Sequence, residues 1–177
     1  MASKYTTRKK SHEKMDPPDA IFRQLEGQSD RAAAIVAGAF LDDQLGMTIE
    51  YLFIDLPAPD VARLFHGTGP LASNYGKILI GYAMGLFGPD TREDLETISS
   101  VRNEFAHNSE DINFNSPLIA EHCSRLNFPK TLSPTLQRSE DPRINYLITV
   151  GTIYQGLWIT RLLPKAARKK AQGSIRD

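Results

Sequence analysis

A chain of 177 residues, 41% hydrophobic and 8% aromatic, can bury one sizeable core, which excludes a protein disordered throughout. Its single cysteine, Cys123, excludes an intramolecular disulfide, and no apolar run of signal-peptide length opens it, so it is read as cytoplasmic. The formal charge of zero hides a segregation: Lys4, Arg8, Lys9, Lys10 and Lys14 at one end and Arg161, Lys165, Arg168, Lys169, Lys170 and Arg176 at the other leave residues 15–160 at −9.

Residues 1–18 and 165–177 therefore read as basic, solvated tails around a helical domain spanning 19–164. "MDPPDAIFRQLEGQ" has a Pro-rich entry and a short helix from about Asp19. Ser29 and Asp30 then offer capping oxygens to a long helix, "DRAAAIVAGAFLDDQLGMTIEYLFI", which ends before Pro57. Its first half is apolar on nearly every face, as befits the centre of a bundle. "PAPDVARLF" is a short helix and "HGTGP" a turn. From Leu71 to Phe87 another helix carries Gly76, Gly81 and Gly85, whose low helix propensity points to close approach by a neighbouring helix. A further helix starts near Asp90, its first turns acidic, with Leu95, Ile98, Val101 or Arg102, and Phe105 at helical spacing. Ser116-Pro117 and Asp141-Pro142 each place a cap before a proline at the first helical position. "NFPKTLSPTLQRSE" between them is a surface loop. The sum is an all-α, single-domain bundle of about seven helices.

"INYLITVGTIYQGLWIT", residues 144–160, has no charge and is followed by a basic flank, a pattern shared with membrane spans. It is shorter than the stretch of about 20 residues that a span requires, and Asn145, Gln155 and three threonines dilute it. It is assigned to the bundle, and no membrane partner is expected.

The chemistry-bearing stretch is "SSVRNEFAHN", residues 99–108. Asn103 and His107 are four apart and share a helix face, and Arg102 has a long side chain that reaches round the helix end. Arginine can stabilise a phosphorane-like anion through forked hydrogen bonds, and histidine can move the proton of an attacking 2′-hydroxyl, so the set suits metal-free RNA cleavage. The structural alternative is equally visible. Asp42 and Asp43 interrupt the most apolar helix, and a charge placed there demands a partner; Arg102 is the candidate. His66-Gly67-Thr68-Gly69-Pro70 lacks the Gly-Lys-Ser/Thr of a phosphate loop, and His122 beside Cys123 has no metal-ligand spacing. No metal and no cofactor is expected. A helix-turn-helix drawn over residues 81–103 would aim an acidic helix at the phosphates, and an acidic body repels nucleic acid, so direct DNA reading is not expected.

"FLDDQL", "LFHGTGPLASNYGKILIGYAMGLF", "ISSVRNEFAHN" and "INFNSPLIAEHCSRL" together resemble the mannitol operon repressor family, from about Arg31 to Leu126. The resemblance implies a helical bundle and a transcriptional regulator that works through a protein partner, without a recognisable DNA-binding motif. Arg102-Asn103 to His107 is also similar to the Arg-x4-His signature of HEPN-domain proteins. That more distant likeness implies a homodimer and, as the alternative function, a toxin-like endoribonuclease in which Arg102 stabilises the anion, His107 transfers the proton and Asn103 orients it. The leading expectation is the non-enzymatic regulator, with Arg102 held by Asp42 or Asp43.

Overall fold

The most apolar stretch of the chain becomes its central rod. The computed structural model describes residues 23, 25, 27–127 and 139–162, and in it helix α1 runs from Asp30 to Leu52. The Ser29 hydroxyl caps it by accepting from the Ala32 amide, which leaves Asp30 available for longer-range contacts. Ala33, Ala34, Ala37 and Gly38 are buried in its first half, and Leu41, Leu45 and Ile49 in its second. Small side chains let neighbours come close, and the larger ones then fill the widening space.

Five further helices follow among the described residues: α2 (Ala58–Phe65), α3 (Asn74–Ala83), α4 (Pro89–His107), α5 (Pro117–Arg125) and α6 (Pro142–Leu162). Helices α3, α4 and α6 pack against α1, and α5 rests on α4 and α6. All regular structure in the described residues is helical, as expected. Both basic tails, most of the loop after α5 and most of the expected helix from about Asp19 lie outside the described residues, though Arg23 and Leu25 of that helix are described and helical.

The uncharged segment 144–160 forms most of α6 and belongs to the core: Tyr146, Thr149, Val150, Tyr154 and Leu157 are buried in it. Phe105, Phe114 and Tyr146 stack in series at centroid distances of 5.1 and 5.3 Å, while Phe40 meets Tyr154 edge-on at 4.7 Å. The Tyr146 hydroxyl donates to the Ala34 carbonyl of α1 at 3.0 Å. Length and mean hydropathy of the kind that suits a membrane crossing occur in α1, among the described helices, and half of that apolar window is buried inside the bundle.

Two arginines fasten the ends. Arg31 donates to the carbonyls of Phe105, Asn108 and Glu110, so it closes the C-terminal end of α4 from a neighbouring helix. Arg143 on α6 pairs with Asp30 and also reaches the Leu25 and Gln28 carbonyls. Asp30 further accepts from the Phe114 amide at 3.0 Å.

Helix α3 departs from expectation at both ends. It starts at Asn74 because the Ser73 hydroxyl accepts from the Gly76 amide, and it stops at Ala83 because Gly85 takes φ +70°, which an L residue resists. Its glycines serve different purposes. A Cβ on Gly76 would strike the Pro70 carbonyl oxygen at 2.0 Å, so this glycine fits α3 to its own entry loop rather than to another helix. A Cβ on Gly81 would lie 2.8 Å from the Phe87 ring in the segment after α3 and at ordinary contact distance, 3.5 Å, from Leu45 of α1, so the tight fit is again to the helix's own flanking chain.

Candidate functional site

Where α1, α3 and α4 meet, a cleft of about 720 Å³ opens. Helix α1 contributes Gly38, Ala39, Asp42 and Asp43, and α3 contributes Asn74, Tyr75 and Ile78. From α4 come Glu96, Ser99, Ser100, Arg102 and Asn103. Four of the five residues singled out from sequence thus converge here: Asp42, Asp43, Arg102 and Asn103. The fifth, His107, is exposed at the last position of α4, one turn beyond Asn103, and is not among the residues that line the cleft.

The ion pair expected between Arg102 and Asp42 or Asp43 is not the one formed. Lys77 of α3 places its Nζ 2.8 and 2.7 Å from the two Asp42 carboxylate oxygens, with the lysine side chain 9% exposed and the aspartate 26%. No ion pair within 4.0 Å joins Arg102 to either aspartate among the described residues. The physical reason lies in the packing. The Lys77 stem passes over α1 at Gly46, where a Cβ would lie 3.4 Å from its Cε, and so delivers the ammonium straight to the carboxylate one turn earlier. Lys77 was legible by the same rule that flagged the aspartates: it is the one charge in "NYGKILIGYA".

Arg102 instead serves the crossing of α1 and α4. Its Cβ and Cγ each lie 2.9 Å from where a Cβ on Gly38 would be, so the glycine makes room for the arginine stem. The guanidinium is half-buried and donates to the Asn103 side-chain carbonyl at 3.0 Å. Around it, Ser99 donates to the Leu95 carbonyl and accepts from the Asn74 amide, both at 2.8 Å. Ser100 donates to the Glu96 carbonyl, and the Glu96 carboxylate holds Arg92 at 2.9 Å.

Electrostatically the cleft presents three carboxylates, of which Asp42 and Glu96 are paired with cations and Asp43 is exposed without an ion-pair partner among the described residues. Arg102 lines the same cleft, so with Lys77 and Arg92 the three carboxylates are matched in number by three cations. Among the described residues no three His, Cys, Asp or Glu side chains converge as a metal set would. Asp94, placed from sequence at the positive end of the helix dipole, is buried in α4 and accepts from the Asn127 amide at 2.6 Å, tying the chain that leaves α5.

Two titratable groups are shifted by the interior. Burial pushes the Tyr146 phenol far above the ordinary tyrosine range, with nearby Cys123 adding to the rise and Arg102 opposing it. Burial pulls the Arg161 guanidinium below its usual value. Gln44 of α1 meets its two terminal nitrogens, which donate to the Gln44 main-chain and side-chain carbonyls, while the buried Nε has no hydrogen-bond partner among the described residues.

The model of a protein family described as "MtlR: Mannitol repressor" matches residues 18–152. Among solved structures, the chain is similar to one of the MtlR-HPr complex from Escherichia coli, with a TM-score of 0.64 at 18% identity, covering 79% of this chain and 97% of that one. It is also similar to a possible transcriptional regulator, YggD, from Shigella flexneri 2a, with a TM-score of 0.64 at 17% identity, covering 81% of this chain and 98% of the other. At these identities the likeness establishes a shared fold. No curated protein of known function matches the chain.

Proposed function

The chain belongs to the mannitol repressor family, and from that premise we propose that it is a cytoplasmic transcriptional regulator that acts by binding a protein partner rather than by reading DNA. The observation that carries this reading is the shared fold with the Escherichia coli protein solved in complex with HPr, nearly all of whose length is covered. The charge distribution supports it independently. Residues 15–160 carry −9, and Asp90 and Glu93 stand exposed on the first turns of α4, the helix that a helix-turn-helix reading would aim at the phosphates. Homodimerisation belongs to the same proposal and is read directly by sedimentation equilibrium.

Affinity capture from the native host, followed by a gel-shift assay on the promoters that change on deletion, tests the reading. It expects one host protein to be retained in stoichiometric amount and free promoter DNA to stay unshifted at physiological salt. A specific shift by the chain alone overturns it.

The ribonuclease reading draws on Arg102, Asn103 and His107. In its favour Arg102 and Asn103 are hydrogen-bonded within one cleft and His107 is open to solvent one turn away. Against it stand the Asp43 carboxylate of that cleft, which has no ion-pair partner among the described residues, and the structural seat of the Arg102 stem on Gly38. Purified protein is expected to leave RNA intact in metal-free buffer. Cleavage by the wild type that His107→Ala abolishes, with helical content unchanged, would establish the enzymatic function instead.

A further inference from the structure

The charges of the cleft divide unevenly. Lys77 holds Asp42 and Arg92 holds Glu96, so two of the three carboxylates are already met within the fold. Arg102 and Asp43 are left over. Both line the cleft, and neither has an ion-pair partner within 4.0 Å among the described residues. Packing keeps them apart: the Arg102 stem is seated on Gly38 and its guanidinium donates to the Asn103 side chain, a neutral acceptor, whereas Asp43 stands five residues beyond Gly38, about 7.5 Å further along the axis of α1. A guanidinium carries several N–H donors, so Arg102 keeps more than the one it spends on Asn103, and the Asn103 amide nitrogen adds its own. In the same lining Tyr75 and Ile78 of α3 supply an apolar wall.

This division selects a ligand by charge. A simple anion would satisfy Arg102 and be repelled by Asp43, and a simple cation would meet the reverse; a molecule that carries both charges satisfies both. We propose that the cleft binds a small zwitterion, an α-amino acid whose carboxylate rests on Arg102 and Asn103, whose ammonium rests on Asp43 and whose side chain lies against Tyr75 and Ile78. The volume of about 720 Å³ is in the range of small-molecule sites. Because Gly38 and Asn103 already hold the arginine in place, binding costs little further ordering of that side chain. The inference goes beyond the regulator reading, and neither depends on the other.

The test is amide-shift mapping on isotopically labelled full-length chain, titrated in turn with each proteinogenic L-amino acid, with inorganic phosphate and with mannitol as a neutral polyol. Saturable shifts over Asp42–Asp43 and residues 99–103 are expected with at least one amino acid. Its N-acetyl and carboxamide forms, each lacking one charge, should bind at least threefold more weakly. Arg102→Met should weaken the free amino acid about tenfold, and Asp43→Asn, at an exposed position, about threefold. Asp43→Asn should leave the affinity for the N-acetyl form unchanged, a selectivity that a merely structural role for the aspartate would not produce. Circular dichroism checks folding, and should Arg102→Met fail to fold, Asp43→Asn and the two blocked forms decide. No shift with any amino acid up to millimolar concentration, shifts confined to another face, or saturation by phosphate or mannitol alone overturns the inference. Equal binding of the free and blocked forms overturns it as well.

Discussion

Lys77 and Asp42 show how this bundle admits charge. The ammonium is nearly enclosed and the carboxylate still meets water on one side, so the pair is anchored more by the cost of breaking it than by any net gain from forming it. Lys77→Met keeps the stem on Gly46 and removes the charge. It is expected to lower stability by about 2–3 kcal/mol, less than for a fully buried pair because Asp42 retains some hydration. Arg102→Met is expected to cost less than Lys77→Met, and urea unfolding of the two variants side by side checks the order. Of the two aspartates that the sequence pointed to, Asp42 is the one that is paired, and its cation is Lys77 rather than Arg102. Periodicity shows that a charge in an apolar helix needs a partner, but which of two cations reaches it depends on how α3 crosses α1, and a single chain read linearly does not contain that angle. Tyr146 carries a second prediction. Its phenol is buried and stays protonated in the fold, whereas in the unfolded chain it ionises near pH 10. The native state therefore holds the extra proton above that pH, so this contribution to stability is complete below about pH 10 and is lost as pH rises further. Tyr146→Phe should cost about 1 kcal/mol near neutrality through the lost bond to Ala34 and should flatten the alkaline fall of the melting temperature.

The C-terminal end of α4 shows dependence between elements. Its last carbonyls are met by Arg31, 74 residues earlier than Phe105 in sequence. Arg31→Ala is expected to cost about 2 kcal/mol, since charge-assisted bonds to carbonyls are lost together. It should also speed hydrogen exchange at the amides of residues 104–108 while leaving the first half of α4 protected. Exchange that rises uniformly along α4 would mean that the arginine supports the whole helix rather than its end. The helices themselves were legible where local chemistry settles them. Ser29, Pro89, Pro117 and Pro142 start elements within a residue of where caps and prolines place them. Helix α3 was drawn too long because apolar periodicity continues through Leu71 and Phe87, whereas the Ser73 cap and the positive φ of Gly85 decide where the backbone leaves the helix.

At the scale of the whole molecule, the all-helical fold was legible because the first half of α1 is apolar on nearly every face, which suits the centre of a bundle. The cleft was legible in part: Asp42, Asp43, Arg102 and Asn103 meet there, and His107 lies outside its lining. What the linear pattern left open was which side of α3 faces outward: Ile78 and Gly81 turn inward, while Tyr75, Leu79 and Tyr82 stand exposed. An acidic body and an uncovered apolar side of α3 fit the proposed binding of another protein. Calorimetric titration of the purified full-length chain with the HPr of its own host tests that claim most directly. The account predicts a saturable isotherm of defined stoichiometry that weakens as salt rises. Absence of any heat with HPr, together with sequence-specific binding of promoter DNA by the chain alone, would contradict it.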